Sequence, residues 1–159
     1  MEFYTIGVYG SNEQTFFNKL ISHKIDTFCD IRQRRGVRGS QYIFANSNYL
    51  QAKLSSLNIK YEYIPLLAPS PEIRNLQKEA DKCNKEIKKT RNKLGDVFIL
   101  EYKKQILSRF DFDTFIENLK LRGAKKIALF CVEECAEACH RSIVSEKLKS
   151  KYKYKVINL

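Results

Sequence analysis

The sequence lacks a membrane-spanning segment, a secretory leader and an internal repeat. No apolar run approaches the roughly 20 residues that a transmembrane helix needs, and no leader is recognisable before the first strand-like segment. The five cysteines are therefore expected to be free thiols in a reducing compartment rather than a disulfide framework. Together these absences predict a soluble cytoplasmic protein that has no membrane partner.

Acidic residues are scarce relative to basic ones. The chain carries 18 Asp and Glu against 29 Lys and Arg, which gives a formal net charge of +11. An excess of this kind favours an anionic partner, and nucleic acid is the commonest one. The alternative is a basic surface without a specific partner, since many lysines lie on solvated helix faces. The arginines, in contrast, cluster.

Hydrophobic periodicity predicts a single α/β domain over residues 1–159. Strand-like and helix-like segments alternate, as in a mostly parallel sheet of about five strands flanked by helices. A charged helical insertion, about residues 69–122, precedes the fourth strand, and its first part, Glu72–Asn92, is predicted to be an exposed helix. The predicted strands are Phe3–Tyr9, Thr27–Ile31, Lys60–Ile64, Ile127–Val132 and Tyr154–Ile157.

Reactive side chains follow the fourth predicted strand directly. Cys139 and His140 stand where the last predicted helix begins, and helix N-termini favour anions and thiolates. Cys139 is therefore the candidate nucleophile, with His140 beside it and Glu133 as candidate acid or base. Arg141 is the candidate to hold an anion at the same turn.

Other interpretations of this turn stay open. Cys131, Cys135, Cys139 and His140 give the spacing C-x3-C-x3-C-H, which lacks the C-x2-C of common metal sites, so neither a metal nor a cofactor is predicted. Cys135 and Arg141 also have the C-x5-R spacing of tyrosine phosphatases, yet no glycine lies between them to fold around phosphate. A third possibility is that Cys131 is strand core and the other cysteines are incidental.

A loop rich in arginine and glycine follows the second predicted strand. It holds four arginines within seven positions: Arg32, Arg34, Arg35 and Arg38. Guanidinium groups bind phosphate bidentately, and glycine lets the backbone approach a ligand. Ser11 follows the first predicted strand, and parallel strands end at one edge of a sheet. These residues are therefore expected to bind phosphate or nucleic acid near Cys139.

Asp30 and Cys131 are predicted to be structural or orienting residues. Asp30 lies near the carboxyl end of the second predicted strand, two residues before Arg32, and Cys131 lies within the fourth predicted strand. The alternative to a binding site at this edge is a buried ion-pair network of Asp30, Arg32, Glu133 and Arg141 that holds the strand ends together.

These motifs resemble one protein family, the domain of unknown function 488. The resemblance rests on Thr5-Ile6-Gly7, Asp30-Ile31-Arg32, Cys131-Val132-Glu133 and Cys139-His140-Arg141. Further segments are similar to one branch of that family: Arg34–Gly39, Tyr42–Asn46, and Leu67-Ala68-Pro69 followed by Glu72, Arg74 and Gln77. The resemblance implies a single α/β domain and an enzyme that uses the motif cysteine and histidine, without an established reaction. Cys135 departs from the family pattern.

The sequence thus predicts an enzyme that acts on or binds nucleic acid or a phosphorylated nucleotide. Its pocket would lie at the carboxyl ends of the strands. One alternative is a non-catalytic nucleic-acid-binding or adaptor module, and another is a thiol-based redox or sulfur-handling enzyme. The sequence indicates no oligomeric state.

Overall fold

Five strands form one sheet in which every neighbouring pair is parallel. The strands are β1 (Glu2–Ile6), β2 (Thr27–Asp30), β3 (Lys60–Tyr63), β4 (Lys126–Phe130) and β5 (Val156–Asn158). Their order across the sheet is β3-β2-β4-β1-β5. The computed structural model describes residues 1–88 and 90–159.

Helices connect the strands and cover both faces of the sheet. They are α1 (Glu13–Ser22), α2 (Ser47–Ser56), α3 (Pro71–Cys83), α4 (Asp96–Tyr102), α5 (Phe112–Leu121) and α6 (His140–Ser150). Short 3₁₀ turns occupy Ser40–Ala45 and Pro65–Leu67, and a π-helical segment, Lys103–Leu107, continues α4. None of the described helices is both long enough and apolar enough to cross a membrane.

Alternate residues of each strand enter two separate hydrophobic layers. Phe3 and Leu129 pack on one face with the helices of the insertion and α6. Tyr4 and Phe130, their neighbours in sequence, pack on the other face with α1 and α2. Both faces of the central strands are therefore buried, which explains why β4 reads as a continuous apolar run.

The structure confirms the predicted fold: one α/β domain with a parallel sheet and a helical insertion before the fourth strand. The strands are shorter than predicted at their carboxyl ends. β1 stops at Ile6 and β4 at Phe130, so Gly7–Tyr9 and Cys131–Val132 lie beyond the sheet. These residues belong to the turns that build the candidate site.

The insertion differs from the exposed helix predicted over Glu72–Asn92. Helix α3 ends at Cys83, and Lys85 takes a positive φ of 55° just beyond it. That conformation reverses the chain direction, and the Glu86 amide donates back to the Asp81 carbonyl at 2.8 Å. Arg91 is buried and donates to the Ala138 carbonyl just before α6, so it lies back at the sheet edge. Lys89, which the predicted helix included, lies outside the described residues.

Candidate active site

A cavity of about 640 Å³ opens at the carboxyl end of β4. Because β4 lies between β1 and β2, the turns after all three strands meet there. The cavity also receives side chains from α3 and from the segment that follows it. The residues treated below as its lining are Tyr9, Arg32, Arg34, Arg38, Arg74, Lys78, Asp81, Lys88, Arg91, Cys131, Glu133, Cys139 and His140.

The floor of the cavity holds a cysteine–histidine pair at the start of α6. Cys139 is the N-cap residue, and His140 is the first residue of the helix. The Cys139 Sγ lies 3.7 Å from His140 Nδ1. The other ring nitrogen, Nε2, lies 3.1 Å from the Ile31 carbonyl oxygen, just beyond β2. A carbonyl accepts hydrogen bonds and cannot donate them, so His140 Nε2 carries a proton and donates it to this bond, which also fixes the ring orientation.

Electrostatics at the floor favour a thiolate on Cys139. Burial alone would disfavour that charge. A hydrogen bond from Cys131 and the positive charges of His140 and Arg141 outweigh burial, and they hold the pKa of Cys139 well below that of an ordinary thiol. Burial likewise opposes the imidazolium, yet the negative charges of Cys139 and Glu133 raise the pKa of His140. The two side chains thus stabilise each other as an ion pair.

Cys131 and Glu133 complete the floor from the turn after β4. The Cys131 thiol has two acceptors within reach, the Glu133 carboxylate at 3.2 Å and the Cys139 sulfur. Hydrogen bonding to Cys139, together with burial, raises the pKa of Cys131 well above its usual range. Burial, reinforced by the charge on Cys139, raises the pKa of Glu133. Burial and the charge on Cys139 thus favour the neutral forms of Cys131 and Glu133.

Arg141 differs from the anion-binding role expected of it. Its side chain is 1% exposed, and its terminal nitrogens donate to the carbonyls of Glu133 at 2.6 Å and Glu134 at 2.8 Å. It does not line the cavity. The guanidinium therefore stabilises the turn after β4 from the side away from the cavity. Its positive charge still helps to lower the pKa of Cys139 at the floor.

Gly7 allows this turn to pack against the end of β1. A Cβ at residue 7 would lie 1.9 Å from the Glu133 carbonyl oxygen and 3.2 Å from an Arg141 nitrogen. Every other residue would push the Cys131–Glu134 turn outward. The glycine of Thr5-Ile6-Gly7 thus has a direct structural reason.

Asp30 and Arg32 form a buried bidentate pair behind the arginine loop. Two Arg32 nitrogens donate to the two Asp30 carboxylate oxygens at 2.9 and 2.7 Å, and a third donates to the Ala45 carbonyl at 3.0 Å. Tyr61 also donates to Asp30 at 2.8 Å. Both charges are satisfied, so Asp30 orients Arg32, and Arg32 presents one edge to the cavity.

The arginine loop divides between the cavity and other surfaces. Arg34 and Arg38 are exposed and line the cavity mouth. Arg35 instead lies over the Tyr63 ring at 4.4 Å. Asn46, the N-cap residue of α2, does not cap the helix with its side chain; its Oδ1 accepts from the Val37 amide at 2.7 Å and so fixes the loop.

Ser11 also lies outside the cavity lining. Its backbone amide donates to the Val8 carbonyl at 3.2 Å in the turn after β1. The next residue, Asn12, caps α1 by accepting from the Thr15 amide at 2.8 Å. Ser11 is therefore part of the turn that leads into α1 and does not contact the cavity.

The sequence interpretation missed three charged cavity residues of the insertion: Asp81, Lys88 and Arg91. Arg91 pairs with Asp81 at 2.7 Å, donates to the Ala138 carbonyl at 2.7 Å and lies 3.7 Å from Glu133. Lys88 lies 3.3 Å from Glu133. The spacing of Gln77 and Asp81, four residues apart on α3, could have indicated a polar helix face turned toward the site, since residues at that spacing share one face. No comparable pattern marks Lys88 or Arg91.

The floor also contains the atoms of a possible metal-ligand set. Cys131 Sγ, Cys139 Sγ and His140 Nδ1 all lie within 4.8 Å of one another. Cys135, which the C-x3-C-x3-C-H pattern included, is not among them. Its sulfur contacts Glu137 at 3.1 Å and the Asn92 carbonyl at 3.4 Å. Cys135 does not line the cavity, so the structure gives no support to the phosphatase-like role of Cys135 and Arg141.

Comparison with known proteins places the chain in a family but gives it no characterised relative. No curated protein and no solved structure matches the sequence significantly. A family model, described as domain of unknown function DUF488, matches residues 12–148. That span contains the arginine loop, the insertion and all the groups of the cavity floor. The match covers most of the chain, and the protein therefore belongs to the DUF488 family.

Proposed function

We propose that the protein is an enzyme that acts on a nucleotide or a nucleic acid bound in this cavity. The observation that carries the proposal is the division of the cavity into a cationic mouth and a reactive floor. The mouth would bind phosphate. The floor, with Cys139, His140 and Glu133, would face the group that reacts.

The mouth carries positive charges that the protein itself does not neutralise. Arg34, Arg38, Arg74 and Lys78 form no ion pair with a carboxylate anywhere in residues 1–88 and 90–159. The buried Arg32 and Arg91 are matched by Asp30 and Asp81, and the more exposed Lys88 is matched by Glu133. The uncompensated charge therefore lies where an entering phosphate arrives first.

The size of the cavity limits the ligand. A volume of about 640 Å³ lies within the roughly 300–1,000 Å³ of small-molecule sites. That space accepts one nucleotide unit and excludes a duplex. A mononucleotide or a single unit of an unpaired strand is therefore the ligand we propose.

Salt dependence of binding tests this proposal. A labelled single-stranded oligonucleotide should bind at low salt, and its affinity should fall as salt rises, because bound phosphates release counterions. Substituting Arg34→Gln and Arg38→Gln together should lower the slope of log K against log salt by about 1–2 units. Lys104→Gln with Arg109→Gln is the matched control, since both residues are exposed and neither lines this cavity. Absence of binding at low salt, or equal slopes in both double variants, would refute the proposal.

A further inference from the structure

Three donor atoms at the cavity floor have the spacing of zinc ligands. His140 Nδ1 lies 3.9 Å from Cys131 Sγ and 3.7 Å from Cys139 Sγ. Zinc–sulfur bonds of about 2.3 Å and zinc–nitrogen bonds of about 2.0 Å at the tetrahedral angle place sulfur and nitrogen about 3.5 Å apart. Both observed sulfur–nitrogen distances exceed this value by only a few tenths of an ångström, and all three donor atoms lie within 4.8 Å of one another.

His140 also has the second contact that metal-ligating histidines usually make. Its Nε2 lies 3.1 Å from the Ile31 carbonyl oxygen, so this nitrogen carries the proton and donates it. Nδ1 then faces the two sulfurs. A backbone carbonyl that holds the far ring nitrogen is a common outer contact of a bound metal, because it fixes the tautomer and the ring plane.

We propose that Cys131, Cys139 and His140 bind one zinc ion, with the fourth coordination position open to the cavity. All three residues are at least 95% buried, yet all three line the cavity. Protein therefore encloses one side of the ion, and the other side faces a bound ligand, as in catalytic zinc sites with three protein ligands. Two thiolates and an imidazole favour zinc over magnesium or calcium, which prefer oxygen ligands.

Glu133 is placed to act beside the ion rather than to bind it. Its carboxylate is 3.2 Å from the Cys131 sulfur but lies outside the set of three mutually close donor atoms. With zinc bound, Glu133 would accept a proton from a water at the open position while the water oxygen bonds to the electrophilic atom of the substrate; the bond from that atom to the leaving group would break, and Glu133 would return the proton to the leaving group. The overall reaction is a hydrolysis. This role of Glu133 rests on the proposed function, whereas zinc binding does not.

Zinc binding can be measured on the full chain without any nucleic acid. The protein is reduced with a phosphine, freed of metal with a chelator, and titrated with Co²⁺ as a spectroscopic probe, followed by displacement with Zn²⁺. We expect one ion per chain and a thiolate-to-cobalt charge-transfer band. Cys131→Ser and Cys139→Ser should each weaken zinc binding by more than about 100-fold, since even outer contacts of a metal site contribute 10- to 100-fold.

The chain offers a matched control for these variants. Cys83→Ser with Cys135→Ser removes two thiols that lie outside the donor set and are exposed or half-exposed, so its zinc affinity should equal that of the wild type. Zinc binding that survives in Cys139→Ser, or that disappears in the control, would overturn the proposal. So would the absence of binding by the folded, reduced wild type.

A measurement on the unmodified protein guards against variants that fail to fold. X-ray absorption at the zinc edge should give two sulfur neighbours at about 2.3 Å and one or two nitrogen or oxygen neighbours at about 2.0 Å. Any other number of sulfurs would overturn the assignment.

The two proposals can fail independently. If the wild type binds no oligonucleotide, while both the wild type and the double variant Arg34→Gln, Arg38→Gln bind zinc, the proposed function alone is refuted. Oligonucleotide binding by a chain that takes up no zinc refutes the metal site alone.

Discussion

Arg91→Met should destabilise the protein strongly, although Arg91 lies in an irregular segment of the insertion. Its side chain is 5% exposed and bridges the insertion to the sheet edge. It donates to Asp81 of α3 at 2.7 Å and to the Ala138 carbonyl at 2.7 Å in the segment Cys131–Cys139, here called the cysteine turn. Methionine has a similar length but no donor, so the substitution leaves both acceptors without this partner.

The magnitude follows from what remains around Asp81. Removing one partner of a buried ion pair costs about 3–5 kcal/mol. Asp81 retains a hydrogen bond from Gln77 at 2.7 Å, and its side chain keeps 13% exposure. Removing Arg91 also removes a buried Nε that has no hydrogen-bond partner among the described residues. We therefore expect the lower value, about 3 kcal/mol, and a Tm lower by about 6–12 °C for a chain of this size.

Urea denaturation followed by circular dichroism measures this loss. Arg122→Met is the matched control, because Arg122 pairs with Glu62 on the surface with 57% of its side chain exposed. Such a pair contributes less than about 1 kcal/mol. Asp81→Asn added to Arg91→Met should recover about 1 kcal/mol or more, since it removes the unpaired charge. A loss for Arg91→Met no larger than for Arg122→Met would refute the reasoning.

Two further predictions concern the floor of the cavity. Gly7→Ala should lower the free energy of unfolding by at least about 2 kcal/mol, because the added methyl group would lie 1.9 Å from the Glu133 carbonyl oxygen. Gly36→Ala is the control in the same urea assay. The nearest atom to its methyl group would be 3.9 Å away, so the free energy of unfolding should change by less than about 1 kcal/mol. In zinc-free protein at neutral pH, iodoacetamide should modify Cys139 before Cys29, because burial raises the pKa of Cys29 while the pKa of Cys139 is held low. Peptide mass spectrometry gives the order of modification, and earlier reaction at Cys29 would contradict the prediction.

The meeting of distant strand ends could be predicted from the sequence because it depends on topology alone. Parallel strands end at one edge, so any residue directly after β2 lies near any residue directly after β4. Arg32 and Cys131 are ninety-nine positions apart, and both line one cavity. The periodicity of their flanking apolar residues was sufficient for this prediction.

The direction of each long side chain at that edge could not be predicted. Arg32 and Arg141 both follow strand ends, yet Arg32 reaches the cavity while Arg141 turns away to two carbonyls. The difference depends on the path of the Cys131–Glu134 turn, which can pack against the end of β1 because Gly7 has no side chain. Spacing in the sequence carries no information about that path.

The contribution of the insertion was hidden for a different reason. Lys88 and Arg91 lie in a lysine-rich run, and such runs usually form solvated faces. Their partners are α3 and the cysteine turn, up to 47 residues away, so no local period marks the contact. Buried charges at such separations become recognisable only when the chain is folded.

The insertion is what allows several ionisable groups to be buried together at one sheet edge. Glu133 is 6% exposed and lies beside Cys131 and Cys139. Grouping a carboxylate with a thiolate in a low dielectric is unfavourable unless opposite charges accompany them. His140 and Arg141 supply positive charge from α6. Lys88, together with Arg91, supplies it from the insertion, at 3.3 and 3.7 Å from Glu133. The turn after β4 and the start of α6 provide the cysteine, histidine and glutamate side chains, and α6 and the insertion together provide the positive charge that permits their burial.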